Sequence, residues 1–137
     1  MNDDQLLSIL KRAKVIAIVG CSPRSDRPSH GVARYLQAEG YQIVPINPNC
    51  GTPEILSERC YATLADAARE HRIDIVDVFR RSEFAGAVVD QALPLKPQLV
   101  VLQLGVVDAA ASERAAAAGV PFLMDHCLAI EHRRLKV

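Results

Sequence analysis

The chain has 137 residues, half of them apolar, and its 16 basic and 16 acidic side chains cancel. Zero net charge excludes a chain-wide attraction to nucleic acid or to an anionic membrane, so any anion site must be local. Trp is absent and aromatics are 4% of the chain, which leaves Val, Ile, Leu and Ala to build the core, the composition of a buried parallel sheet. The length fits one domain spanning residues 1–137. The opening MNDDQLLSILKRAK carries acids and bases with no long apolar run, so neither a secretory signal nor a membrane span is expected there. Cys21, Cys50, Cys60 and Cys127 make no C-x-x-C pair and are read as reduced thiols of a cytoplasmic protein. His30, His71, His126 and His132 show no metal-ligand spacing.

In chain order, the first predicted helix covers Asp3–Arg12, with Leu6, Leu7, Ile9 and Leu10 on one side. Val15–Val19 is a continuous apolar run that ends in Gly20, as a strand buried on both faces would read. A helix is expected over Ser29–Glu39, with Ser29 as its N-cap and Gly40 just past its end. Gln42–Asn47 reads as a second strand stopped by Pro48, and Thr63–Arg72 as a helix capped by Thr63 with Asp66 at N3. Then come a strand at Ile73–Phe79, a helix at Ser82–Leu93 capped by Ser82, and a strand at Leu99–Leu104. A helix at Asp108–Ala118 stops at Gly119, a fifth strand covers Pro121–Asp125, and Cys127–His132 forms a last helical turn. Strands that alternate with helices require crossover connections, hence a parallel sheet with helices on both faces. The expected fold is therefore a Rossmann-like, doubly wound α/β domain of five parallel strands in three layers.

In such sheets ligands bind beyond the carboxyl ends of the strands, at the topological switch point. Five loops lie there: Gly20–Ser29, Asn47–Gly51, Arg80–Ser82, Gln103–Val106 and Asp125–Cys127. In the first loop, Gly20 permits a tight turn and a close approach of backbone to ligand. Ser22 and Ser29 supply hydroxyls, and the helix beginning there directs free N–H groups and its positive dipole end at the loop, a phosphate-binding arrangement. Arg24 and Arg27 add charge-assisted donors. The loop lacks the second and third glycines of the dinucleotide fingerprint, where Ser22 and Ser25 stand, and Asn47-Pro48 replaces the acid expected after strand two.

Arg80 and Arg81 open a helix whose dipole they oppose, which an anionic ligand would relieve; Phe79 is core or the wall of a pocket. Gln103 hydrogen-bonds a ligand or a neighbouring loop, and Gly105 permits a left-handed turn. Asp125, His126 and Cys127 read as a cap, a surface residue and a buried thiol, or as a Cys–His pair able to act as a nucleophile. Asp74 and Asp77 stand three apart in one strand and so face opposite sides, which rules out a carboxylate pair.

Taken together, IAIVGCSPRSDRPSHGVARYL, VPINPN, DIVDVFRR, LQLGV and MDHC resemble, in order and spacing, the small stand-alone coenzyme A-binding proteins. These are similar to the coenzyme A-binding domain of the succinyl-coenzyme A synthetase α subunit. The resemblance runs from about Val15 to Cys127. It implies that Gly20, Cys21 and Ser22, with Arg27, Pro28 and Ser29, hold coenzyme A phosphates, and that Asn47 and Pro48 lie beside the adenosine. It implies further that Phe79, Arg80 and Arg81 flank the adenine and phosphate region. Gln103, Leu104 and Gly105 would then line the pantetheine path, with Cys127 nearby. The synthetase's catalytic histidine belongs to a further domain, so ligase chemistry is not carried over. The expected function is binding of coenzyme A or an acyl-coenzyme A, as a carrier, sensor or partner subunit. The alternatives are an NAD(P)-dependent oxidoreductase or nucleotide-dependent regulator using the same loop, and thiol chemistry at Cys21 or Cys127. A protein partner or a homo-oligomer is left open.

Overall fold

The computed structural model describes all 137 residues. Helix α1 (Asp3–Arg12) starts from a reciprocal cap in which the Asn2 side chain accepts from the Gln5 N–H and the Gln5 side chain accepts from the Asn2 N–H. Then follow β1 (Val15–Val19), α2 (Pro28–Ala38) and β2 (Gln42–Ile46). A small hairpin of β3 (Glu54–Ile55) and β4 (Glu58–Arg59) precedes α3 (Leu64–Ala68), β5 (Ile75–Val78) and α4 (Ser82–Ala92). A 3-10 turn leads into β6 (Leu99–Leu102), α5 (Ala109–Ala117), β7 (Phe122–Leu123) and α6 (Leu128–Arg134).

The five long-range strands form one parallel sheet in the order β2-β1-β5-β6-β7. The fold is the expected α/β Rossmann-like one. Period-two alternation divides each strand between two cores. Ile16, Ile18, Ile43, Ile75, Leu99 and Val101 face α1, α2 and α6. Ala17, Val19, Val44, Val76, Val78 and Leu102 face α3, α4 and α5. Most of these side chains have no exposed surface, and burying one such Ile or Leu is worth about 2 kcal/mol. The order reverses between β1 and β5, because the chain leaves β1 outward to β2 and returns across it to β5. The loops after β1 and β5 therefore part there and open a crevice.

Several boundaries differ from the sequence reading. Helix α2 begins one residue early, because Pro28 at its first position has its φ already set and needs no N–H partner. Arg27 takes the cap position without a side-chain bond, so Ser29 is not the N-cap. Ser82 likewise lies inside α4, behind Arg81. Thr63 caps α3 as expected, and Asp108, read as helical, is instead the cap of α5; each accepts from the N–H three residues on. The last strands are shorter than their apolar runs. Asp125 has φ of 59° and cannot continue β7, and Gln103 ends its ladder on the Val78 carbonyl. The hairpin was not foreseen, because each of its strands has two residues and its turn places Leu56 and Ser57, neither a glycine, at positive φ.

Candidate functional site

A crevice of about 730 Å³ opens at the carboxyl ends of β1, β5 and β6. Gly20 forms its floor at φ of 88°, and a Cβ there would stand 2.3 Å from the Phe79 carbonyl oxygen. Only glycine lets the two strand ends approach this closely. The N–H groups of Gly20 and Cys21 both donate to the Ile46 carbonyl. The Asn47 amide donates to the Cys21 carbonyl at 2.9 Å, which ties the loop after β2 to the loop after β1.

The loop after β1 then satisfies itself. Ser29 Oγ accepts from the Ser22 N–H at 3.0 Å, Ser22 Oγ accepts from the Arg24 N–H at 3.1 Å, and His30 Nδ1 donates to the Ser22 carbonyl at 3.0 Å. The Ser29 N–H, at the second position of α2, has no acceptor in the chain. It is a free donor at the positive end of a three-turn helix.

Four arginines line this crevice. Arg24 pairs with Asp26 at 3.0 Å and Arg81 lies 3.6 Å from Glu83. Arg80 sits over the Phe84 ring, 5.2 Å from its centre. Arg27 and Arg80 have no carboxylate partner. On a chain of zero net charge this is a local excess of positive potential beside a free helix N–H. A groove of similar size, about 680 Å³, runs between α1 and β7. There Asn2 and Gln5 bond each other and Arg12, its one arginine, bonds Gln98, so it lacks the cluster of unpaired arginines.

The crevice brings together ten of the sequence-nominated residues: Gly20, Ser22, Arg27, Pro28, Ser29, Phe79, Arg80, Arg81, Gln103 and Leu104. Arg24 and Val106 complete its wall. Five nominated residues stand apart from it. The Cys21 side chain is fully buried in the core on the α2 side of the sheet, near Cys50 and Cys60. Asn47 braces the loop, and Pro48 is exposed beside it. Gly105 donates its N–H to Asp125 Oδ1 at 2.7 Å, joining two loops at the rim. Cys127 is buried at the start of α6.

The thiol readings fare poorly. Burial, with a smaller contribution from Cys50, pushes the Cys21 thiol up to about 12, so the loop's N–H groups do not activate it. His126 directs its Nδ1 at the Met124 carbonyl, 2.8 Å away, and makes no bond to Cys127, so no nucleophile–base pair is assembled. Val106 escaped the sequence reading because an apolar loop residue carries no chemical signal.

The profile of the CoA binding domain family matches residues 14–133. The chain belongs to that family. An uncharacterized protein of Bacillus subtilis, YneT, is 36% identical to this family member over 128 residues, 93% of this chain and 92% of its own length. The cell-free ID.343 structure from Thermus thermophilus superposes at a TM-score of 0.92 with 38% identity, covering 98% of this chain and 99% of that one. A hypothetical protein from Pyrococcus horikoshii superposes at 0.91 with 32% identity, covering 100% and 94%. An oxidoreductase from Agrobacterium radiobacter solved with NAD+ is 17% identical at a TM-score of 0.64, a likeness of fold alone.

Proposed function

We propose that this protein binds coenzyme A or an acyl-coenzyme A in the strand-end crevice, as one unit spanning its whole length, and performs no ligase chemistry of its own. It acts as a carrier, a sensor or a partner subunit in the cytoplasm. The observation that supports this most is the meeting of two unpaired cations, Arg27 and Arg80, with the free Ser29 N–H around a glycine floor. Coenzyme A carries a pyrophosphate and a 3′-phosphate, and charge-assisted donors of this kind hold such groups at close range. The loop from Gly20 to Ser29 takes the pyrophosphate, Arg80 and Arg81 the phosphate nearest the adenine, and Phe79 walls the base. Gln103 and Leu104 border the arm that leaves toward the thiol. Asn47, Pro48, Gly105 and Cys127 contribute by holding loops in place.

Isothermal titration tests this. Saturable coenzyme A binding is expected, weakened about tenfold or more by Arg80→Ala, since a lost charge-assisted bond is worth about 1.5–3 kcal/mol. Absence of heat with coenzyme A, acetyl-coenzyme A and succinyl-coenzyme A would overturn the proposal. Tighter binding of NADH or NADPH than of coenzyme A would replace it with the oxidoreductase reading.

A further inference from the structure

Three side-chain polar atoms of the chain are buried without a hydrogen-bond partner: both carboxylate oxygens of Asp77, and Oε1 of Gln103. An orphaned buried polar atom costs about 1–3 kcal/mol, so three near one place require an explanation. They are close in the fold. In the β5–β6 register Asp77 lies opposite Val101, and Gln103 is two residues on from Val101, just past the end of β6, with its N–H still bonded to the Val78 carbonyl. Both side chains therefore leave the same face of the sheet as diagonal neighbours, within reach when one of them is long. Gln103 also borders the crevice, whereas Asp77 lies one layer below it with no exposed surface.

A carboxylate and an amide oxygen are both acceptors and repel each other. A carboxylic acid is a donor. One proton on Asp77 therefore satisfies one atom of each residue at once. The surroundings favour that proton. Beside Asp77 on the sheet are Ile18 and Val101. The titratable groups buried on this face are Cys21, His30, Tyr41, Cys127 and His132, with the Tyr41 hydroxyl bonded to the Leu10 carbonyl. His30 is bonded to the Ser22 carbonyl and His132 to the Tyr35 hydroxyl. No cation compensates the carboxyl, and burial alone raises it to about 8.

We propose that Asp77 is a positioning residue for the ligand: it keeps its proton, donates it to Gln103 Oε1, and so turns the Gln103 Nε2 group into the crevice as a donor to an amide carbonyl of the ligand's arm. This inference rests on the coenzyme A reading. Its consequence is a pH-dependent site. When Asp77 ionises, the Gln103 amide loses the bond that fixes it and is drawn round toward the buried charge.

The test pairs two measurements on the full chain. Coenzyme A affinity of the wild type should fall severalfold between pH 7 and pH 9. In Asp77→Asn, whose amide donates but cannot ionise, and in Gln103→Leu, which has no oxygen to accept, the fall should be absent. Adenosine 3′,5′-bisphosphate, which lacks the arm, should show no difference in slope between wild type and Asp77→Asn. A wild type as flat as Asp77→Asn, or an Asp77→Asn that falls as steeply as the wild type, overturns the inference.

Urea unfolding provides an arm independent of ligand. The folded carboxyl titrates near 8 and the unfolded one near 3.8, so the folded state holds the extra proton between those values. Its stabilisation is complete below about 4 and is lost as the pH climbs to about 8. Asp77→Asn should therefore gain on the wild type as the pH rises from 5 to 8. An unchanging difference overturns the proton assignment, whereas absent coenzyme A binding together with the expected unfolding trend overturns the ligand reading alone.

Discussion

The two ends of the sheet use the same residue types to opposite effect. At the amino end, Asp74 accepts from the Lys14 and Val15 N–H groups at 2.9 and 3.0 Å and from Gln98 Nε2 at 3.1 Å, while Gln98 Oε1 accepts from Arg12. Every polar atom of that Asp–Gln pair has a partner. At the carboxyl end, Asp77 and Gln103 form the matching pair and leave three atoms orphaned. The lower pair locks α1 to the sheet, whereas the upper pair retains unused hydrogen-bonding capacity under a crevice that also holds unpaired arginines. A closed network is a structural fastening, and an open one beside a cavity is where a ligand has something left to bind.

Mutations should separate the two ends, and the largest effect is expected at the upper one. Gly20→Ala drives a Cβ into the Phe79 carbonyl at a φ that L residues avoid. It should cost about 3 kcal/mol in urea unfolding, and whatever protein remains folded should lose coenzyme A binding, because the crevice floor must shift. Next comes the lower end. Asp74→Ala deprives two backbone N–H groups of their acceptor and should cost about 2 kcal/mol, yet leave coenzyme A affinity unchanged by calorimetry. A drop in affinity there would show that the two ends are coupled and would erase the distinction. The smallest effect belongs to Arg72→Ala. Its Nε lies 3.9 Å from Asp74, but its side chain is 91% exposed. The free energy of unfolding should change by no more than about 0.5 kcal/mol, as for most exposed pairs.

Much of this was legible in the residues. The runs VIAIV and LVVL are apolar on both faces, and IVDV is broken only by Asp77, because helices cover both faces of the sheet, as they do in a parallel one. Gly20 could be read as a close approach from its place directly after a strand. The arginines of SPRSDR and FRRS stood out against a neutral chain. Boundaries were less legible. Ser29 and Ser82 have the chemistry of caps, but each hydroxyl accepts instead from a distant N–H, of Ser22 and of Val107. The short hairpin at Glu54–Arg59 has no periodicity to detect, since two residues make no pattern.

Sequence by itself determined the layer architecture and the order of the sheet strands and their crossover helices, and it nominated the carboxyl-end loops as the place for a ligand. Those follow from local periodicity and from the geometry of crossover connections, which any chain with this pattern must obey. Tertiary structure decided which donors are free and which are used. It withdrew the Cys21 side chain into the core, left Arg27 and Arg80 without carboxylates, and set Asp77 beside Gln103 without a partner. The reason is that availability is a property of neighbours. Asp74 and Asp77 are the same residue three positions apart, and only the fold places donors around one and leaves the other with none.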